Sequence, residues 1–214
     1  MPRGARRAPT IVVLVRHGKT STTGVLLPGR RPGLHLDDEG RRQADAAAQR
    51  LAKLPRIDAV YSSPLERARE TAAPIARARG LSVRTERGLL EIDVGAWAGL
   101  KLDRARKKPE WAIVQRHASG FRFPDGESFL EMQTRVVGTL ADLVARHPGR
   151  TIVAVSHADP IKAAVAHALG VHLDLFQRIT IGTASITVVA YGDGAPRVLT
   201  VNAVDGDLAG LVPR

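Results

Sequence analysis

The chain has 214 residues (23.0 kDa), 44% hydrophobic and 25% charged, which suits one soluble domain. It has no cysteine and no apolar run near the ~20 residues of a membrane span, which excludes disulfides, a thiolate nucleophile, a Cys-ligated metal and a spanning helix. A net charge of +11 suits an anionic partner, whether nucleic acid, a membrane surface or a phosphorylated metabolite, and also fits a merely Arg-rich composition; the basic residues are scattered and only 4% of residues are aromatic, which disfavours nucleic acid.

Residues 1–9 carry Arg3, Arg6 and Arg7, and no signal-type apolar segment follows. They read as a disordered basic tail, and the protein as cytoplasmic with no membrane partner. Ile11-Val12-Val13-Leu14-Val15 then runs without a polar break, four of the five residues β-branched, as in a strand buried on both faces. It stops at Arg16-His17-Gly18. Residues 19–36 form a loop longer than a usual strand-to-helix connection, and such loops tend to be functional. A helix is predicted over 38–54, with Ala44, Ala47, Ala48, Leu51 and Leu54 on one face.

Residues 57–62 read as a second strand. Ser63, Pro64 and Glu66 fit the N-cap, first position and capping box of a helix that carries Arg67 in its first turn. Residues 81–85 read as a third strand, and the alternation argues a parallel sheet. Residues 88–108 are less regular, with a short helix predicted over 101–108. Ser128 and Glu131 form another capping box, opening a helix striped by Phe129, Met132, Val136, Leu140 and Leu143. Residues 151–155 are a fourth buried strand, ending in Ser156-His157-Ala158-Asp159. Asp159 and Pro160 fit the cap and first position of a helix over 161–169. Residues 183–191 and 197–201, joined by Gly192-Asp193-Gly194, read as a closing hairpin.

Three strand ends therefore carry Arg16 with His17, Arg67, and His157. In a parallel sheet these ends share one edge, where open α/β folds bind ligands. Two imidazoles and two guanidiniums gathered there require an anion between them. Arg forks and helix N-termini match phosphate oxygens, and a neutral imidazole can attack phosphorus. A carboxyl in an apolar setting keeps a proton near neutral pH, and Glu91 within Leu89-Leu90-Glu91-Ile92 is the best candidate, ahead of Asp93 and Asp159. His35 in the long loop could reach this edge. His117, His147, His167 and His172 read as surface or helix residues, and Trp97 and Trp111 as packing. No cluster has trustworthy metal-ligand spacing, and no metal or other cofactor is expected.

The blocks Leu-Val-Arg-His-Gly-Lys-Thr, Tyr-Ser-Ser-Pro-Leu-Glu-Arg-Ala-Arg-Glu-Thr-Ala, Leu-Leu-Glu-Ile-Asp-Val-Gly-Ala-Trp-Ala-Gly, Gly-Glu-Ser and Val-Ser-His-Ala-Asp follow one another along residues 11–202. In that order they resemble the histidine phosphatase superfamily, also called phosphoglycerate-mutase-like. The stretch from Val155 to Ile179 further resembles its actinobacterial phosphomutase subgroup. The resemblance implies an α/β fold, a three-layer α/β/α sandwich with a mostly parallel central sheet. It implies one catalytic domain over 10–206 with a cap-like insertion at about 96–128, and a tail over 207–214. It assigns His17 as the phosphorylated nucleophile, Arg16, Arg67 and His157 to the phosphate pocket, and Glu91 as proton donor. Thr23 falls where many members carry a phosphate-touching Asn. Ala158 replaces the common Gly and keeps its backbone N–H. Lys19 stands where Glu or Gln is frequent.

The expected activity is hydrolysis of small phosphomonoesters. The alternative is a phosphoglycerate-mutase-type phosphomutase, for which residues 99–126 offer little shielding material. A third reading is a non-enzymatic binder of anions or nucleic acid. The substrate and the oligomeric state stay open, a homodimer being admissible. Leu211–Arg214 match a protease recognition sequence and are set aside.

Overall fold

A computed structural model describes residues 8–206 and 208. Residues 1–7, 207 and 209–214, most of the two expected tails, lie outside the described residues. Six strands form one sheet: β1 (Thr10–Arg16), β2 (Ala59–Ser62), β3 (Val83–Thr85), β4 (Thr151–Ser156), β5 (Ile186–Tyr191) and β6 (Arg197–Ala203), in the order β3-β2-β4-β1-β5-β6. The pairs β1–β4, β2–β4 and β2–β3 are parallel; β1–β5 and β5–β6 are antiparallel. The sheet is thus mixed, its parallel part built by the strand–helix alternation and its antiparallel edge by the closing hairpin.

Helices cover both faces, giving the expected three layers. Ile11, Val13 and Val15 of β1 pack with α1 (Asp38–Leu51) and α2 (Glu66–Arg77), through Ala47, Ala48, Leu51, Ala68, Ala72 and Ile75. Val12 and Leu14 point the other way, toward α5 (Phe129–Arg146) and α6 (Ala158–Ala168). This two-sided burial is why β1 and β4 lack polar alternation. Residues 96–128 carry the short helices α3 (Leu102–Ala105) and α4 (Trp111–Arg116). They join the α5/α6 side through Trp97, Phe121 and Phe123, whose rings sit 5.0–5.8 Å apart.

Several boundaries differ from the sequence reading. The helix over 38–54 stops at Leu51, with Asp37 capping it through the Gly40 amide (2.7 Å). The helix over 101–108 shrinks to α3, because the chain turns before Pro109; α4 and a 3-10 stretch, Leu173–Arg178, were not foreseen. Two caps are corrected. α2 begins at Glu66 behind Leu65, which offers no side-chain cap, because Ser63 faces His157 and Glu66 accepts from the Gly33 amide. α6 begins at Ala158, with His157 itself at the cap position and Asp159 in the first turn.

The end of β1 is held by backbone contact. A Cβ on Gly18 would lie 2.5 Å from the Gly40 carbonyl oxygen, and one on Gly40 would lie 2.0 Å from that of Lys19. The N-terminus of α1 therefore abuts the residue after His17 with no room for a side chain. The Gly18 amide also donates to Thr71 Oγ1 of α2 (3.0 Å). Among the described residues no helix is long and apolar enough to cross a membrane.

The Ser128 capping box does form: Ser128 Oγ accepts from the Glu131 amide (3.1 Å) and Glu131 Oε2 from the Ser128 amide (2.9 Å). Ser128→Ala should cost about 1 kcal/mol. Urea unfolding checks this; an unchanged midpoint would show that the box adds nothing to the stability of α5.

Candidate active site

Parallel pairing sets Arg16 of β1 beside Ser156 of β4, with β2 on the far side of β4. The residues that follow these three strands consequently meet at one sheet edge. The His17 and His157 rings lie 5.1 Å apart by centroid. Arg67 and His157 are fully buried, and His17 is 6% exposed. Arg16, His17, Arg67 and His157 thus form one cluster, each arginine acting on both imidazoles, at the edge the sequence indicates.

Each side chain is fixed by only part of its polar inventory. Arg16 donates through Nη1 to the Ile181 carbonyl (2.7 Å), and Arg67 through Nη2 to the Gly29 carbonyl (2.9 Å). His157 Nε2 lies 2.8 Å from Ser63 Oγ. Arg16 Nε, Arg67 Nε and Nη1, and His157 Nδ1 are buried with no partner among the described residues. An unmet buried polar group costs about 1–3 kcal/mol, so four together mark a place for a ligand rich in acceptors. If the Ser63 hydroxyl donates to His157 Nε2, the proton sits on Nδ1 and all four nitrogens are donors. A tetrahedral oxyanion meets that demand. The N-termini of α2 and α6 open on the same edge and add favourable dipole ends.

His17 has a different arrangement. Its Nδ1 lies 2.7 Å from the Gly18 carbonyl, which can only accept, so Nδ1 carries the hydrogen and Nε2 keeps a free lone pair. Burial first, then the charges of Arg67 and Arg16, holds the imidazole down to about 3. Burial and the same arginines push His157 well below the ordinary histidine value. Burial also lowers Arg16 and Arg67 from the usual guanidinium range, against the opposing pull of Glu91.

Glu91 lies close enough to feel both arginines. Burial, and after it the charge of Asp159, raises its carboxyl to about 7; the Ile92 amide, Arg67 and Arg16 oppose the rise. Its Oε1 accepts from the Ile92 amide (2.9 Å). Asp159 holds Lys162 Nζ (3.2 Å), which also contacts Gln177 Oε1 (3.0 Å). These three groups line a cavity of about 220 Å³ together with Leu27, Trp111 and Phe123.

Other candidates sit elsewhere or are otherwise engaged. The Thr23 hydroxyl accepts from the Thr20 amide (2.9 Å), closing a local turn. Ala158 is the first residue of α6. His35 faces Glu70 of α2 on the surface. Asp93 caps the Gly95 amide (3.0 Å). His147 bonds the Tyr61 hydroxyl (2.8 Å), and His117 and His172 face Asp174. Sequence reading missed Ser63 as the partner of His157, since the same hydroxyl also suits an N-cap. It also missed Arg30, Glu127 and Arg135, which grip the backbone of the Glu91 segment; the Gly-Glu-Ser block was the one available signal.

A family model described as the histidine phosphatase superfamily (branch 1) matches residues 12–204. A bifunctional protein of Mycobacterium tuberculosis is 37% identical over 201 residues, covering 93% of this chain and 55% of that protein; the chain spans about half the length of such curated relatives. Phosphoserine phosphatase 1 of Hydrogenobacter thermophilus is 35% identical over 199 residues, covering 89% of this chain and 91% of that one. Among solved structures, a mycobacterial glucosyl-3-phosphoglycerate phosphatase superposes with a TM-score of 0.81 at 28% identity, covering 91% of this chain and 99% of that one.

If the unpaired nitrogens are an oxyanion site, inorganic phosphate should raise the unfolding temperature of the protein. Saturation at a hundred times the dissociation constant corresponds to about 2.7 kcal/mol. Arg67→Met should remove this phosphate-dependent rise. A variant that keeps the full rise would separate Arg67 from anion binding.

Proposed function

The chain belongs to the histidine phosphatase superfamily, branch 1, and on that footing we propose that it hydrolyses small phosphomonoesters through a phosphohistidine on His17. The observation that carries this reading is a neutral, buried imidazole with a free Nε2 beside four unpartnered buried nitrogens, with a protonatable carboxyl close by. Arg16, Arg67 and His157 hold the non-bridging phosphate oxygens. Their charge and hydrogen bonds stabilise the phosphoryl group as it transfers, the main contribution a protein makes to such reactions.

Nε2 of His17 bonds to phosphorus as the bond from phosphorus to the ester oxygen breaks. The Glu91 carboxyl gives its proton to that oxygen, and the alcohol leaves neutral. The resulting carboxylate then takes a proton from water, whose oxygen bonds to phosphorus as the P–N bond breaks. Phosphate departs, and both side chains regain their starting forms. Low basicity of His17 keeps the lone pair available near neutral pH.

Residues 10–206 act in this reading as one catalytic domain, with 96–128 as a cap. The cavity beside Asp159 and Lys162 takes the alcohol portion. Its modest volume and mixed lining favour a small, polar alcohol. The named relatives support hydrolysis over transfer to a second hydroxyl, because those with a stated activity include a phosphoserine phosphatase and a glucosyl-3-phosphoglycerate phosphatase. Thr23 and the Ala158 amide are assigned to the rim of the phosphate pocket.

Phosphate release from a panel of alkyl phosphates tests the proposal. His17→Ala should lose on the order of 10³-fold or more; equal rates would remove His17 from the mechanism. The sign of the pH dependence follows from Glu91. Its proton is present below about 7 and lost above it, so the wild-type rate on an alkyl ester should fall as pH rises through that value. Glu91→Gln should abolish that falling limb together with most of the activity.

A further inference from the structure

Glu91 stands on a stretch of chain with no regular structure. Residues 90–94 lie between two 3-10 turns, Arg87–Leu89 and Gly95–Trp97, and no strand or helix ladder fixes their carbonyls. Two guanidiniums fix them instead. Arg135 of α5 donates through Nη1 to the Gly88 and Leu90 carbonyls (2.7 and 2.9 Å) and through Nη2 to that of Glu91 (3.4 Å). Arg30, from the long loop, donates through Nε to the same Glu91 carbonyl (2.8 Å).

Glu127 joins the two. Its carboxylate meets Arg135 through both oxygens, Nε to Oε1 and Nη2 to Oε2, each at 2.9 Å, and meets Arg30 Nη2 at 2.9 Å. Oε2 also accepts from the Asp93 amide (3.3 Å), and the Glu127 amide donates to the Asp93 carbonyl (2.9 Å). The Glu127 side chain is only 13% exposed. One turn along α5, Thr139 closes the other end: a Cβ on Gly88 would lie 1.7 Å from its Oγ1. Buried ion pairs are a poor source of stability and are better explained by the geometry they fix. The geometry fixed here is the backbone of Glu91, gripped from positions 61 and 44 residues away.

We infer that Glu127, Arg30 and Arg135 are positioning residues, a strut that holds the Glu91 backbone so that its carboxyl meets the leaving oxygen. The inference rests on the hydrolytic reading above. The strut matters only where a proton must be delivered. An alkoxide leaves poorly without one, whereas 4-nitrophenolate leaves unaided. A residue that merely supports the fold would affect both esters alike.

The test compares kcat/KM, which covers every step up to departure of the alcohol, for an alkyl phosphate and for 4-nitrophenyl phosphate. Glu127→Gln and Arg30→Gln should each lose about tenfold to a hundredfold on the alkyl ester and keep activity on the aryl ester within about threefold of wild type. Arg30→Gln leaves the Arg135–Glu127 pair intact, so it reports even if Glu127→Gln unfolds. Equal losses on both esters, or no loss on either in folded protein, overturn the inference while wild-type turnover upholds hydrolysis. A wild type that releases phosphate from neither ester overturns the hydrolytic reading and the strut with it.

Discussion

Buried positive and polar nitrogen without a counter-ion is the constraint around which this molecule is arranged. Arg16, Arg67 and His157 are enclosed by strands and helices, yet four of their nitrogens find no acceptor among the described residues. Burial of this kind destabilises a fold unless something satisfies it. Neighbouring backbone meets part of the need, through the Ile181 and Gly29 carbonyls. The remainder is left open at the one place where β1, β2 and β4 end together. The apolar strands are what make this tolerable: Val12 to Val15 and Ile152 to Val155 supply a core on both faces, rigid enough to hold cations close together.

The same charges set the chemistry of their neighbours. Burial first, then Arg67 and Arg16, keeps His17 unprotonated, as the proposed nucleophile must be, while burial and Asp159 raise Glu91 to about 7, as the proposed acid requires. Two groups that would titrate between about 4 and 7 in water are thus driven in opposite directions within one cluster. Neither result depends on an unusual residue. Each depends on how much solvent is excluded and on which charges stand near.

Much of this was readable from residue order. A β-branched run that halts at Arg16-His17, and another that halts at Ser156-His157, specify both a buried strand and what it delivers. The α5 stripe and its Ser128–Glu131 box appear where the spacing indicates. What could not be read was allegiance. Ser63 satisfies an N-cap and an imidazole equally well on paper, and only the crossing of β2 beside β4 decides for His157. Asp159 likewise looked like a cap until the helix began one residue ahead of it. The junction of Arg30, Glu127 and Arg135 is invisible locally because its members come from a loop and the two ends of one helix entry. Segment 96–128 is short on periodic pattern, so its helices were misjudged in length or missed.

The loop over 19–36 ends where it starts. Asp37 donates its amide to the Lys19 carbonyl (3.1 Å), Thr20 bridges to Leu36, and Gly40 closes against Lys19 and Gly18. Between these pinned ends it carries Gly29 and Arg30 over the site. A segment stapled at its base can be lengthened or shortened at modest entropic expense, leaving β1 undisturbed. Selectivity and reactivity are therefore tied together in this scaffold: a change of diet written into this flap has to keep Gly29 on Arg67 and Arg30 on the Glu91 backbone.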